Sequence, residues 1–173
     1  MICIVVMGIL AVCPLIAASY SQNPETNSET EKKEIVSLAR SLCKEDFCDE
    51  TIKAILAISK NNHSVKKEKT NAEPDELYYR IEKLFSKTEL SLTYEGETVY
   101  IPTATLSKGY IKTDKLYPYI KKVASPWDTY NKNFVYQKEY PCGISLEGIN
   151  YLCSNGLSYK EALMWYLPNF SIK

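Results

Sequence analysis

Residues 143–148 read GISLEG, residues 156–163 read GLSYKEAL, and residues 165–169 read WYLPN. The middle segment predicts a helix, because Ser158 stands where an N-cap residue accepts a free backbone N–H, and Glu161 follows in the first turn. Pro168 cannot continue a helix and therefore predicts where it ends. The residues at helical spacing that would form its buried face are Ala162, Leu163 and Tyr166.

The sequence before residue 143 predicts helices first and strands after them. Apolar residues recur at helical spacing within residues 35–42, 52–57 and 75–87. Residues 90–94 then alternate, Glu95 and Gly96 are typical of a hairpin turn, and residues 99–101 would return as the second strand. This order predicts an α+β fold, with helices packed on a small, mostly antiparallel sheet.

The N-terminal segment differs from the rest, because no charged side chain occurs before Glu25. The apolar run from Ile2 to Tyr20 would span roughly 28 Å as a helix, close to the hydrocarbon thickness of a bilayer. We therefore interpret residues 1–20 as a signal peptide or membrane anchor, residues 21–33 as a flexible tether, and residues 34–173 as one folded domain. The expected location is extracytoplasmic, either membrane-anchored or secreted.

Composition excludes one class of partner. The chain has 21 Lys and Arg residues and 21 Asp and Glu residues, so its formal charge is zero. Without a basic field, we expect no nucleic-acid partner. We also expect no cofactor.

His63, the single histidine, stands in a run rich in lysine and asparagine, where a surface position is the simplest interpretation.

Four segments follow one another along the chain: residues 92–99 (LTYEGETV), 105–111 (TLSKGYI), 118–128 (PYIKKVASPWD) and 143–148. They resemble, in the same order, the L-T-Y-N-G-x-P-I, S-x-S-x-G-x-T, P-Y-L-x-S-V-x-S-P-W-D and G-M-S-Q-Y-G motifs of the stage II sporulation protein D/amidase enhancer family. The C-terminal stretch resembles that family's G-x-S-Y-E-E-I-L-x-x-Y-Y-P-G tail. The resemblance covers most of residues 34–170. It implies a cell-wall (peptidoglycan) protein involved in sporulation, engulfment or cell-wall remodelling.

The resemblance also implies that a family activity has been lost. In active relatives, the glutamate of an E-M-P motif is the acid/base of a lytic transglycosylase, which cleaves the glycan and leaves an anhydro sugar. Leu42 or Cys43 stands at that position, and neither can act as that acid. Tyr140 replaces a histidine of the family pattern, and Leu146 replaces a glutamine.

We therefore interpret the chain as a pseudoenzyme that binds peptidoglycan glycan strands or a partner cell-wall hydrolase. Two alternatives remain open. One is an active lytic transglycosylase that uses Glu45 as acid/base, and the other is a remnant or a purely structural membrane-associated protein.

The resemblance further implies a glycan-binding cleft. The residues that match its expected positions are Ser107, Tyr110, Trp127, Tyr140, Gly143 and Ser145. Aromatic rings can stack on sugar faces, but tyrosines half-buried on strands serve packing equally well. The 14 tyrosines of the chain are compatible with both roles.

Cysteine usage leaves three states open. Cys3 and Cys13 lie in the apolar segment, which leaves Cys43, Cys48, Cys142 and Cys153. These four allow free thiols, disulfides or a zinc site, but their spacing departs from the usual C-x2-C of zinc sites, so we predict no metal. The family alignment places Cys43 beside the acid position and Cys142 in the G-H-G-x-G segment. The resemblance therefore implies that these two residues could form a disulfide across the former cleft.

Overall fold

The computed structural model describes residues 24–68, 70–89, 91–131 and 141–173. The predicted anchor at residues 1–20 lies outside these ranges. Among the residues that are described, no helix is long and apolar enough to cross a bilayer. The chain divides into two units, Met1–Lys33 and Glu34–Lys173, and the functional residues discussed below lie in the second.

Helix α1 (Pro24–Leu42) begins earlier than the apolar pattern predicts. We expected a flexible tether over residues 21–33 and a folded domain from residue 34, whereas residues from Pro24 onward are already helical. The extension is mostly solvent-exposed from Ser28 to Lys33, so it buries no apolar stripe that periodicity could detect.

Helices α2 (Asp49–Val65) and α3 (Glu76–Phe85) confirm the next two predicted helices. Asp75 caps α3 by accepting the backbone N–H of Tyr78 at 2.7 Å. The apolar faces of α1, α2 and α3 share one cluster of buried residues, which includes Val36, Ala39, Phe47, Ile52, Ile55, Leu56, Leu77, Ile81 and Leu84. The opposite face of α2 contributes Ala54, Ala57 and Ile58 to a second cluster. Helix α2 is therefore buried on both sides at the centre of the fold.

The C-terminal turn of α2 holds the following chain segment with polar side chains. Asn62 accepts the backbone N–H of Ile101 at 2.7 Å and donates to its carbonyl at 2.8 Å. Asn61 donates to the carbonyl of Val99 at 2.8 Å. The surface position predicted for His63 is wrong: this side chain is buried, with Nε2 at 3.6 Å from Glu34. The cause is that α2 continues through the polar run instead of ending before it.

The described strands form three two-stranded sheets instead of one. Strand β1 (Leu92–Tyr94) pairs antiparallel with the C-terminal strand β6 (Phe170–Ile172). Strands β2 (Thr103–Ala104) and β5 (Ile144–Ser145) are parallel, and β3 (Tyr110–Ile111) and β4 (Val123–Ala124) are antiparallel. The α+β class is confirmed. The predicted turn at Glu95–Gly96 is confirmed, because Tyr94 and Glu97 exchange two backbone hydrogen bonds of 2.9 and 3.0 Å. Residues 99–101 do not return as the second strand, because Asn61 and Asn62 bind the backbone of this segment.

Three short elements complete the fold: a 3-10 helix (Pro126–Tyr130), α4 (Leu146–Ser154) and α5 (Tyr159–Tyr166). Ser145 caps α4 by accepting the backbone N–H of Gly148 at 3.0 Å. Ser158 and Glu161 form a reciprocal capping box at the start of α5. The predicted N-cap of this helix is thereby confirmed, and α5 ends before Pro168 as expected.

Candidate functional site

A buried carboxylate joins segments that are distant in sequence. Asp128 accepts hydrogen bonds from the backbone N–H of Ser107 at 2.8 Å, from Ser125 Oγ at 3.0 Å and from Ser145 Oγ at 2.9 Å. Only 1% of Asp128 is exposed. A buried carboxylate is tolerated when its oxygens are hydrogen-bonded in this way. Asp128 therefore ties the 3-10 helix to residues 105–111 and to the start of α4.

Tyr166 extends this network from α5. Its hydroxyl lies 2.7 Å from Ser125 Oγ and accepts Trp127 Nε1–H at 3.0 Å. Because Ser125 donates its own proton to Asp128, the Tyr166 hydroxyl donates to Ser125. The hydrogen bonds thus run in one direction toward the carboxylate, an order in which each bond polarises the next.

Gly148 makes this close approach possible. A Cβ added at this position would lie 2.0 Å from the Tyr166 hydroxyl, 2.8 Å from Ser125 Oγ and 2.9 Å from Trp127 Nε1. No side chain other than hydrogen fits there without displacing the network. Gly148, the last residue of the GISLEG motif, is therefore required by close packing against Tyr166, Ser125 and Trp127.

Burial sets the electrostatics of the network. It raises the pKa of Asp128 above its ordinary value, while the hydrogen bonds from its serine neighbours act in the opposite direction. Burial also raises the pKa of the Tyr166 hydroxyl, while its hydrogen bonds with Ser125 and Trp127 act in the opposite direction. Both groups lie beneath the surface, so the network holds the fold together.

Three of the predicted glycan-binding residues belong to this buried layer. Ser107 is 4% exposed and Ser145 is fully buried. Gly143 is buried with φ of +144°, and a Cβ there would lie 2.8 Å from the backbone of Pro102 and Thr103. Gly143 packs β5 against β2, and Ser107 and Ser145 bind Asp128, so these three predicted cleft residues lie beneath the surface.

A row of three aromatic rings covers this layer on the outside. Trp127 stacks on Tyr151, with ring centroids 5.3 Å apart and planes 6° apart, and lies 5.5 Å from Trp165 at a tilt of 54°. Tyr151 is 48% exposed and Trp165 is 45% exposed. Trp165 Nε1 donates to the Ala124 carbonyl at 2.9 Å. We call Tyr151, Trp127 and Trp165 the aromatic platform. The orientation of the platform is fixed by the hydrogen bond from Trp127 Nε1–H to the buried Tyr166 hydroxyl.

A polar cluster lies one helical turn away from the platform. Glu147 precedes Tyr151 by four residues on α4, so these two side chains lie on one side of that helix. Asn131 directly follows the 3-10 helix that carries Trp127. Asn131 Nδ2 donates to Glu147 Oε2 at 3.1 Å, and Lys44 forms an ion pair with Glu147 Oε1. The Glu147 side chain is only 8% exposed. We call Lys44, Asn131 and Glu147 the polar cluster.

The predicted acid/base Glu45 does not lie in this site. Its side chain is 74% exposed and pairs with Arg40 at 3.2 Å. Arg40 is bound mainly to Asp75, with Nε at 2.9 and 3.0 Å from the two carboxylate oxygens. That contact lowers the pKa of Asp75 to about 2. Glu45 is thus directed toward the α1–α3 side, while its neighbour Lys44 reaches Glu147.

The other predicted site residues have different outcomes. Tyr110 is exposed on β3, with Lys122 Nζ at 4.7 Å from its ring centroid. It pairs with Ala124, whose carbonyl binds Trp165, so it lies beside the platform. Trp127 is the central ring of the platform. Tyr140 lies outside the described residues.

The predicted Cys43–Cys142 disulfide is absent. Cys43, Cys48, Cys142 and Cys153, the cysteines of the described ranges, are all free thiols. Cys43 is buried in the cluster shared by α1, α2 and α3, and burial raises its pKa to about 12. Cys142 packs against the other cluster and donates to the Lys112 carbonyl at 3.3 Å. Within the described ranges, no group of three histidine, cysteine or acidic residues could hold a metal ion.

Sequence reasoning missed most of the exposed site: Lys44, Asn131, Glu147, Tyr151 and Trp165. One signal was present, because Glu147 and Tyr151 are four residues apart on a predicted helical segment. The Lys44–Glu147 contact had no sequence signal, since 103 positions separate the two residues.

No family model matches this chain, and no curated protein matches it. The site is therefore interpreted from its own geometry and from the motif resemblance.

Proposed function

We propose that the chain is a stage II sporulation protein D-like cell-wall protein that binds peptidoglycan glycan strands without cleaving them. The observation that carries the proposal is the aromatic platform, because Tyr151 and Trp165 are 48% and 45% exposed and exposed aromatic rings can stack on sugar faces. The proposed location is extracytoplasmic, with the N-terminal segment serving as anchor or signal. A partner cell-wall hydrolase is the second ligand class that the motif resemblance supports.

The polar cluster supports binding more than catalysis. Both Glu147 oxygens already accept hydrogen bonds, one from Lys44 and one from Asn131. A general acid must instead present a proton to the glycosidic oxygen. Lys44, partly exposed beside the platform, is suited to a carboxylate or an amide oxygen on the glycan.

Replacing Tyr151 or Trp165 by alanine is expected to weaken binding to peptidoglycan about 3- to 10-fold each, because one stacked ring contributes about 0.5–1.5 kcal/mol beyond its buried area. The measurement is co-sedimentation of the purified chain with insoluble peptidoglycan. Tyr79→Ala is the matched control, since Tyr79 is an equally exposed tyrosine on α3. Equal losses in all three variants would contradict a role for the platform.

One observation favours an active enzyme as a second candidate: Glu147 is a fixed carboxylate beside the platform. If the chain cleaves glycan, we expect Glu147, and not Glu45, to be required. Peptide-free glycan strands incubated with the wild type, Glu147→Gln and Glu45→Gln would be analysed by mass spectrometry. The binding proposal predicts intact strands throughout. Anhydro-ended products that vanish in Glu147→Gln would establish the enzyme, and products lost only in Glu45→Gln would restore the original acid assignment.

A further inference from the structure

Two cysteines outside the candidate site, Cys48 and Cys153, lie at the contact between α2 and α4. Cys48 is the N-cap residue of α2, and its backbone N–H donates to Asn150 Oδ1 at 3.3 Å. Thr51, one turn further along α2, donates its hydroxyl to the same Asn150 oxygen at 3.0 Å. Cys48 Sγ lies 3.2 Å from Thr51 Oγ1. Asn150 of α4 is thus held against the first turn of α2.

Cys153 belongs to the same contact. It follows Asn150 by three residues on α4, so the two side chains lie on one face of that helix. The Thr51 hydroxyl lies 3.2 Å from Cys48 Sγ, and both Thr51 and Cys48 influence the pKa of the Cys153 thiol. Cys153 belongs to the core cluster, and Cys48 packs against that cluster.

We propose that Cys48 and Cys153 are a disulfide pair, closed when the chain meets an oxidising low-molecular-weight or protein disulfide. The half-buried Cys48 reacts first: its thiolate attacks the oxidant disulfide and releases one thiol, leaving a mixed disulfide. The Cys153 thiolate then attacks Cys48 Sγ and releases the second thiol. Two protein thiols lose two electrons and two protons, and the oxidant disulfide gains both.

The disulfide would join the start of α2 to α4, the helix that carries Glu147 and Tyr151. Closing a loop of more than 100 residues removes much freedom from the unfolded chain, so we expect the oxidised form to unfold roughly 10 °C higher than the reduced form. The second step should be slow at neutral pH, because burial raises the pKa of Cys153 to about 12. Its rate should rise about tenfold per pH unit below that value, as the thiolate fraction does.

The test is non-reducing peptide mapping of the purified full-length chain after incubation with oxidised glutathione. The expected product is a linked pair of peptides containing Cys48 and Cys153, with an unfolding temperature that rises in the wild type and in Cys43→Ser but not in Cys48→Ser or Cys153→Ser. A Cys43–Cys142 link would overturn the proposal. So would a glutathione adduct on Cys48 that is never displaced, or a wild type whose thiols all stay reduced. The mapping needs only the wild type, so a variant that fails to fold leaves the test intact.

Discussion

Gly148→Ala is expected to destabilise the folded unit by about 3 kcal/mol, at the upper end for an overpacked core position. The new Cβ would lie 2.0 Å from the Tyr166 hydroxyl, and that ring is held in place by Trp127 and Ser125. The unit Glu34–Lys173 should therefore unfold roughly 10 °C lower. Thermal unfolding followed by circular dichroism measures the shift.

Two further variants separate the steric clash at Gly148 from the conformational strain of replacing a glycine. Gly96→Ala places a Cβ where nothing lies within 4 Å, at a φ of +86°, so only the backbone strain of about 1 kcal/mol should appear. Tyr166→Phe removes the hydroxyl oxygen that the new methyl group would meet, and the Gly148→Ala/Tyr166→Phe double variant should be less destabilised than the sum of the single variants. Strict additivity would contradict the crowding argument.

Asp128→Ala is expected to cost about 3–4 kcal/mol, because it leaves the Ser107 N–H and the Ser125 and Ser145 hydroxyls without their common acceptor. Asp128→Asn keeps the shape and one acceptor oxygen, so its effect should be smaller. Urea unfolding gives both values. Asp49→Ala is the control, since Asp49 is an exposed aspartate paired with Arg80, and we expect it to change the stability by less than about 1 kcal/mol.

The pH dependence of the same variants has a defined sign. Burial raises the folded-state pKa of Asp128 above its ordinary 3.8, so the folded protein holds this proton more tightly than the unfolded chain. The resulting stabilisation is complete below pH 3.8 and is lost as the pH rises through the folded-state pKa. The wild type should therefore lose stability relative to Asp128→Asn as the pH rises across this window. If the wild type instead gained stability relative to Asp128→Asn over this window, the hydrogen bonds would lower the pKa of Asp128 by more than burial raises it.

Local chemistry explains which parts of the fold could be predicted. Ser158 with Glu161, and the apolar spacing of α3, depend on residues within one or two turns, so the sequence alone indicates them. The quoted motifs contain Asp128, Ser145 and Gly148, and the structure brings these residues together. Of the three, only Ser145 was predicted as a cleft residue, and it is buried, because a sequence pattern does not distinguish a residue that lines a cleft from one that supports it.

Long-range pairing explains the rest. Strand β1 pairs with residues at the far end of the chain. Its pairing with the segment after the turn stops at the Tyr94–Glu97 bridge, because Asn61 and Asn62 bind the backbone of residues 99–101. The burial of His63 was not predicted either, because the polar run gave no sign that α2 continues to Val65. The ion pair of Lys44 with Glu147 depends on how α4 packs, which no local pattern encodes.

The central claim is that the aromatic platform binds glycan, and the tryptophan emission of the chain tests it directly. The two tryptophans, Trp127 and Trp165, both belong to the platform, so all of the tryptophan fluorescence reports on this surface. Titration of the full-length chain with soluble, peptide-free peptidoglycan glycan strands should produce a saturable change in intensity or emission maximum. The change should be smaller in Tyr151→Ala and unaltered in Tyr79→Ala. An emission spectrum that stays constant at strand concentrations where the chain co-sediments with peptidoglycan would contradict the account, because binding would then occur elsewhere.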